Sequence, residues 1–139
     1  MYERLAITLC VLIIAAIGTW LVRRRRIQRA QTVMQHLGII PGIPAIVYFW
    51  SPGCHQCRTA QKPVLERMVE EHGEEHLQVI SYNVDESLDL AKAWSVMTIP
   101  TTFIVDQNGE VLFANNGLAT DVMLHRQLKL QHISQEEVQ

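Results

Sequence analysis

The sequence predicts an α/β fold in which a mixed β-sheet has helices on both faces, preceded by one N-terminal transmembrane helix. The stretch from Leu5 to Val22 contains no charged residue, which indicates the transmembrane helix. From Ala45 onward apolar strand patterns alternate with helix patterns, and Asn108-Gly109 marks a hairpin turn between two strand patterns. At 139 residues and 48% apolar composition, the chain suits one compact domain and this additional segment.

The uncharged segment is long enough to cross a bilayer, because the eighteen residues from Leu5 to Val22 would form roughly 27 Å of helix. Tyr2 and Trp20 lie near its ends, and five arginines, Arg23 to Arg26 and Arg29, follow it. Positive flanks stay in the cytoplasm, so we expect the C-terminal domain to be cytoplasmic. A cleaved signal peptide is the alternative, but its positive charge would precede the apolar run.

The net charge of −2 conceals an asymmetry along the chain. Residues 1–29 hold six arginines and one acid, which gives +5, whereas residues 30–139 hold six basic and thirteen acidic residues, which gives −7. The domain after the membrane segment is therefore acidic, and nucleic-acid binding is not expected.

Composition divides the chain into four parts. Residues 1–26 form the anchor and its basic flank, 27–44 a juxtamembrane helix and a hinge, 45–130 the α/β domain, and 131–139 a polar tail. The hinge is predicted because glycines and prolines interrupt any regular element at Gly38, Pro41, Gly42 and Pro44. Ile39 and Ile40 could form only a short first strand.

The strands are predicted from runs of apolar residues. Ala45 to Trp50 has the continuous apolar pattern of a strand buried on both faces, and Leu77 to Val84 predicts the next strand. Thr102 to Val105 is expected to pair with Glu110 to Ala114 across the turn that contains Asn108-Gly109.

Three helices complete the domain. The first carries apolar residues on one side, namely Ala60, Val64, Leu65, Met68 and Val69. Pro63 predicts a kink in it. Ser87 is a suitable N-cap for a short helix from Leu88 to Trp94, and Thr120 is one for a last helix that extends to about Leu130.

The chemistry of the chain is indicated by Cys54-His55-Gln56-Cys57, which lies where the first strand leads into a helix. Two thiols at this spacing can close a disulfide within one helical turn, and a helix N-terminus favours the thiolate form. Cys54 is expected to attack a target disulfide, and Cys57 to resolve the mixed disulfide. Cys10 is expected to be a small apolar residue of the anchor.

A zinc site is an alternative interpretation, because Cys54, Cys57, His72 and His76 have the loose spacing of a Cys2His2 site. Gly73 lies between the two histidines at an expected helix end, and the preceding strand is too apolar for a small zinc finger. We therefore expect no metal and no cofactor. His72 and His76 are expected to be solvated residues at a charged helix end. His36, His125 and His132 are expected to be surface residues.

These features resemble the thioredoxin family over roughly Ala45 to Leu130. The resemblance rests on Phe49-Trp50, the two cysteines, the Ile99-Pro100-Thr101 element and the Asn108-Gly109 turn. It implies a cis peptide bond before Pro100 and a substrate-docking role for Ile99, Pro100 and Thr101. It also implies a thiol–disulfide oxidoreductase that reduces protein disulfides with electrons from an external reductase.

The chain departs from the family pattern in three ways. His55-Gln56 replaces the usual Gly-Pro between the cysteines, and Gly53 stands where tryptophan is usual. Pro63 lies one residue further from the cysteines, which predicts a differently wound helix. The family's buried aspartate and its lysine partner fall at Tyr48 and Ser81, so the proton relay is expected to be missing.

Three residues are expected to tune or shield the site. A protonated His55 would stabilise the Cys54 thiolate and make the pair a better oxidant, unless the ring points into solvent as a specificity contact. Gln56 is the second residue of the pair that replaces Gly-Pro between the cysteines. Trp50 is expected to shield the active loop, and a structural role in the core is an equal interpretation.

Three functions are compatible with these residues. The first is a membrane-anchored reductase that works in the cytoplasm. The second is an extracytoplasmic disulfide enzyme of the cytochrome c maturation type, which would require the opposite orientation in the membrane. The third is a non-enzymatic thioredoxin-fold module that holds a metal or a partner protein.

Overall fold

The computed structural model describes residues 11–21 and 37–136. Residues 11–21 are helical. In chain order, the elements of the domain are β1 (Ala45–Trp50), a π-helical turn (Cys57–Gln61), α1 (Lys62–His72), β2 (Gln78–Asn83), α2 (Leu88–Ala93), β3 (Thr101–Val105), β4 (Val111–Asn116) and α3 (Asp121–Glu136).

The four strands form one mixed sheet in the order β2-β1-β3-β4. β1 runs parallel to β2, with Tyr48 opposite Ser81, and antiparallel to β3, with Phe49 opposite Thr101. β3 and β4 form the predicted antiparallel hairpin. The end of β1 and the start of β3 therefore lie side by side, at the edge where the cysteine loop begins.

Alternate residues of β1 contribute to two separate cores. Ile46 and Tyr48 pack into a cluster with Leu65 and Met68 of α1, and with Leu124 of α3. The opposite cluster joins alternate β1 residues to α2 and to the segment before β1, and contains Leu37, Ile39, Ala45, Val47, Phe49, Ala91, Phe103 and Val105. The predicted mixed sheet with helices on both faces is thus confirmed, since a strand's side chains alternate between its two faces.

Among the described residues directly before β1, residues 37–44 contain turns and no strand. Gly38 and Gly42 have φ angles of +62° and +87°, which glycine adopts without steric cost. The backbone of Ile40 pairs with the Gln78 side chain rather than with a strand. The Gln78 side chain accepts the Ile40 N–H at 2.9 Å and donates to the Ile40 carbonyl at 2.8 Å. One side-chain amide thus satisfies both backbone groups of Ile40 beside the edge strand β2.

Two of the predictions about helix ends were wrong, and one is confirmed. α3 continues beyond Leu130 to Glu136, because residues 131–136 contain neither glycine nor proline to end it. Ser87 precedes α2, but its side chain makes no capping bond, since its ψ of 44° lies outside the β-region that N-cap residues adopt. The N–H of Met123 donates to Thr120 Oγ1 at 3.4 Å, as expected of a cap.

The predicted membrane anchor lies partly outside the described residues. Within Leu5 to Val22, only residues 11–21 are described, and their side chains are exposed. In the described ranges 11–21 and 37–136, no helix has the length and apolar character needed to cross a bilayer. The arginine flank, residues 27–36 of the predicted juxtamembrane helix, Cys10, and the side chains of His36 and His132 fall outside the described part.

Candidate active site

Cys54 and Cys57 form a disulfide, with their Cα atoms 5.3 Å apart. The loop from β1 brings Cys54 into position, where its N–H donates to the Ser51 carbonyl at 3.1 Å. Cys57 opens the π-helical turn. The structure thus places both predicted redox residues at the strand-to-helix junction.

The two sulfurs of the disulfide have different environments. Cys57 is fully buried, whereas Cys54 is partly exposed. The backbone N–H of Cys57 donates to the Sγ atom of Cys54 at 3.1 Å. An N–H group directed at sulfur favours its thiolate, so Cys54 is the sulfur that is both accessible and stabilised as a nucleophile.

The helix after the cysteines is wound differently from a regular α-helix, in agreement with the shifted position of Pro63. The Lys62 N–H donates to the Cys57 carbonyl, five residues earlier, and Pro63 follows in the first turn of α1. A π-turn holds one more residue than an α-turn. The extra residue before Pro63 is therefore absorbed locally, and Leu65 and Met68 still face the core.

Tyr48 lies beneath the disulfide, at the position of the family's buried aspartate. Its hydroxyl donates to the Cys57 carbonyl at 3.0 Å. Burial raises the pKa of Tyr48 to about 12, so the phenol stays protonated near neutral pH. Tyr48 therefore holds the backbone of Cys57 but cannot act as a base. Sequence reasoning identified the missing carboxylate but not this contact.

Trp50 is partly buried and packs against the cluster that contains Cys57. It also borders a groove of about 750 Å³ between β1, β2 and α1, which reaches Tyr48, Cys57 and Ser81. This packing supports the interpretation of Trp50 as a structural residue of the core. Ser81 lines this groove and is exposed, so the groove beside the buried Cys57 is open to solvent.

The Ile99-Pro100-Thr101 element lies beside the cysteine loop, since Thr101 is opposite Phe49 in the sheet. The peptide bond between Ile99 and Pro100 is cis. Ile99 packs against the same cluster as Cys54. Thr101 is fully buried and its side chain donates to the Thr98 carbonyl at 2.7 Å. Pro100 is also buried, so Ile99 is the partly exposed residue of this element.

The two residues between the cysteines lie on the surface. His55 and Gln56 are both exposed. The Thr59 hydroxyl donates to the His55 carbonyl at 3.0 Å, and Gln56 makes no side-chain capping bond. Both side chains are therefore available to a partner that approaches Cys54.

The sequence predicted that His72 and His125 are surface histidines without partners. This prediction was wrong, because the two rings lie in a cluster with acidic side chains. The His125 Nε2 atom lies 2.9 Å from Glu71 Oε2, and its Nδ1 atom lies 3.1 Å from Asp121 Oδ1. The backbone hydrogen bond to Asp121, together with the Glu71 bond and both negative charges, raises the pKa of His125 against the opposing effect of burial. Glu71 and His125 are 54 residues apart in the chain, so no spacing pattern could have revealed this cluster.

Comparisons with known proteins agree with this geometry. The family model described as thioredoxin matches residues 32–129. Thioredoxin of Bacillus subtilis is 36% identical over 69 residues, which cover 50% of this chain and 64% of that protein. Thioredoxin of Listeria monocytogenes is 39% identical over 64 residues, which cover 46% of this chain and 59% of that protein. The chain thus spans less than two thirds of either relative.

A solved structure shows the same fold. Thioredoxin-2, a component of the malaria parasite protein secretion machinery, matches with a TM-score of 0.58 and 21% identity, over 63% of this chain and 82% of that chain. The family model covers most of the described domain, including the disulfide-forming cysteine pair. The chain belongs to the thioredoxin family.

Proposed function

We propose that this chain is a membrane-anchored thiol–disulfide oxidoreductase that reduces protein disulfides through Cys54 and Cys57. The observation that carries the proposal is the difference between the two sulfurs. Cys54 is partly exposed and accepts the Cys57 N–H at 3.1 Å, whereas Cys57 is fully buried. One sulfur can thus reach a substrate, and the other can reach only its neighbour.

In the first step, the Cys54 thiolate attacks one sulfur of a protein disulfide. A bond forms between Cys54 and that sulfur, and the second substrate sulfur leaves as a thiolate that takes up a proton. The Cys57 N–H stabilises the attacking thiolate before this step.

In the second step, the thiolate of Cys57 attacks the Cys54 sulfur. The intermolecular bond breaks, the substrate leaves as a dithiol, and the Cys54–Cys57 disulfide forms, which is the state of the pair in the structure. Tyr48 supports this step by holding the Cys57 backbone through its 3.0 Å hydrogen bond. An external reductase must then return two electrons and two protons to the pair.

The substrate is expected to dock at Ile99, the partly exposed residue of the Ile99-Pro100-Thr101 element. This element starts β3 beside the end of β1, and Ile99 shares its packing cluster with Cys54. An extended peptide laid on this element would bring its disulfide next to the exposed Cys54. Exposed His55 and Gln56 border the same surface.

The anchor is proposed to be the segment from Leu5 to Val22. Support comes from its lack of charge and from the helical, exposed residues 11–21 within it. The arginines that follow the segment favour a cytoplasmic location for the redox domain. The electron donor would then be a cytoplasmic reductase.

The proposal is tested with the full-length chain in detergent micelles, using insulin as the disulfide substrate and dithiothreitol as the electron donor. We expect Cys54→Ser to abolish insulin reduction. Cys57→Ser should also stop turnover but accumulate a stable mixed disulfide with insulin, because only the resolving thiol is lost. Cys10→Ser is the matched control and should retain the wild-type rate.

Two results would contradict this assignment. Accumulation of the mixed disulfide by Cys54→Ser would reverse the roles of the two cysteines. An absence of turnover in the wild type, with dithiothreitol present, would favour the non-enzymatic binding module.

A further inference from the structure

A second group of chemically active side chains lies where the end of α1 meets the start of α3. Glu71 and His72 come from the last turn of α1, and His125 comes from the beginning of α3. The His72 and His125 rings are 5.3 Å apart between centroids. One ligand-type atom from each of the three residues lies within 4.8 Å of the others, the only such group in the described part of the chain.

Both imidazole rings are oriented by backbone carbonyls. The Nδ1 atom of His72 lies 2.9 Å from the Met68 carbonyl oxygen, and the Nδ1 atom of His125 lies 3.0 Å from the Asp121 carbonyl oxygen. A carbonyl oxygen only accepts hydrogen bonds, so Nδ1 carries the proton in each neutral ring. The Nε2 atom of His72 therefore presents its lone pair, as metal-binding histidines commonly do. The Nε2 atom of His125 faces the Glu71 carboxylate, which only accepts, so a bound ion would displace the proton that His125 donates to Glu71.

Two carboxylates beside the His125 ring also favour the binding of a cation. The Glu71 carboxylate lies 2.9 Å from His125 Nε2, and the Asp121 carboxylate lies 3.1 Å from His125 Nδ1. Asp121 thus faces the ring nitrogen that a metal would not use. The ring is oriented by the Asp121 backbone carbonyl, which accepts the Nδ1 proton, a usual outer-shell arrangement at metal sites.

We propose that Glu71, His72 and His125 bind a divalent transition-metal ion of the zinc type. The ligands would be a Glu71 carboxylate oxygen and the two Nε2 atoms, with water in the fourth position. Two histidines, one carboxylate and water form a well-known ligand set for zinc. This proposal differs from the prediction, based on Gly73 and on the apolar strand before the cysteines, that the chain holds no metal.

The ligand atoms need only a small movement to close around an ion. At zinc–ligand distances of about 2.0–2.1 Å, tetrahedral ligands lie roughly 3.3 Å apart, compared with the 4.8 Å limit found here. The Glu71 and His125 side chains are 48% and 39% exposed, so they can rotate and the ion can enter from solvent.

The site is separate from the redox pair. Cys57 and His72 lie at opposite ends of one continuous helical stretch, roughly 22 Å apart at 1.5 Å per residue. A bound ion would join α1 to α3, which pack on the same face of the sheet. Because the site exists only in the folded chain, binding should stabilise the native state.

The test uses the full-length chain with Cys10→Ser in detergent micelles, purified without a histidine tag and with Cys54 and Cys57 kept as the disulfide, so that no thiol can bind the metal. Zinc is titrated by calorimetry, and Tm is recorded with zinc and with EDTA. We expect one zinc ion per chain, and a Tm increase of about 10 °C when zinc exceeds its Kd about a hundredfold.

Three variants each remove one ligand, namely Glu71→Gln, His72→Gln and His125→Gln. Each should weaken zinc binding by about tenfold or more. His76→Gln is the matched control, since His76 is exposed just beyond the same helix end and lies outside the cluster. Its zinc affinity should equal that of the wild type. Far-UV circular dichroism checks folding, and the surface variant Glu71→Gln remains decisive if a histidine variant fails to fold.

Cobalt provides a second readout. Tetrahedral nitrogen and oxygen ligation should produce visible d–d bands without sulfur-to-cobalt charge transfer, both in the disulfide form and in a Cys54→Ser, Cys57→Ser variant. The proposal is overturned if the wild type shows no saturable zinc binding, if the three ligand variants bind zinc as the wild type does, or if His76→Gln weakens binding as much as they do.

Discussion

The side chain of Gln61 forms hydrogen bonds with both backbone groups of Ala119. Its Oε1 atom accepts the Ala119 N–H at 2.8 Å, and its Nε2 atom donates to the Ala119 carbonyl at 3.1 Å. Both residues are fully buried. Gln61 ends the π-helical turn and Ala119 lies just before α3, so this pair joins the helix that carries the cysteines to the last helix.

Gln61→Leu should therefore destabilise the protein. The substitution leaves one buried N–H and one buried carbonyl of Ala119 without partners, and at about 1–3 kcal/mol for each group we expect a loss of about 2–6 kcal/mol. Urea unfolding of the full-length chain in detergent measures the change. Gln56→Leu is the matched control, because Gln56 is exposed, and it should change stability by less than about 0.5 kcal/mol. Equal effects of the two substitutions would contradict the importance of the buried amide.

Deletion of Thr59 should be tolerated. The π-turn holds one residue more than an α-turn, so the shortened segment can rewind as a regular helix while Cys57 and Leu65 keep their positions. We expect the free energy of unfolding to change by less than about 1 kcal/mol. Deletion of exposed Arg67 is the control, since it rotates Met68 off the buried face and should cost about 2–5 kcal/mol. If the Thr59 deletion is as damaging as the Arg67 deletion, the extra residue is not confined to the π-turn.

His55→Gly should lower the reduction potential of the Cys54–Cys57 pair. A protonated imidazole beside Cys54 stabilises the thiolate and hence the reduced form, so its removal should lower the potential by on the order of 30 mV. Equilibration with glutathione buffers measures the potential.

Gln56→Gly is the matched control for His55→Gly, because it adds the same backbone flexibility without removing a titratable ring. It should shift the potential by less. A potential that is unchanged by His55→Gly would leave His55 as a surface contact for substrates.

The redox domain should lie on the cytoplasmic side of the membrane. A fluorescent protein fused after Gln139 should be bright and an alkaline phosphatase fusion inactive, since the arginines after the anchor oppose translocation. Replacing Arg23 to Arg26 with glutamine should weaken this preference. An active phosphatase fusion on the unmodified chain would indicate the opposite orientation and favour the extracytoplasmic disulfide enzyme.

Much of the fold could be predicted because it depends on local patterns. The continuous apolar run of β1 is observed at the predicted bounds, and the Asn108-Gly109 turn joins β3 and β4 as expected. Strand patterns and turn residues report burial and backbone geometry within a few neighbouring positions. The cysteine pair could be located for the same reason, since its position depends on where a strand ends and a helix begins.

The sequence by itself determined which residues form the strands, where the two thiols lie, and that the chain resembles thioredoxins. Only the tertiary structure decided that Tyr48 holds the Cys57 carbonyl, that Gln61 joins Ala119, and that His125 meets Glu71. The physical reason is that each contact joins different turns, strands or helices. Helical and strand periodicity identifies the buried face of an element but not which face of another element packs against it.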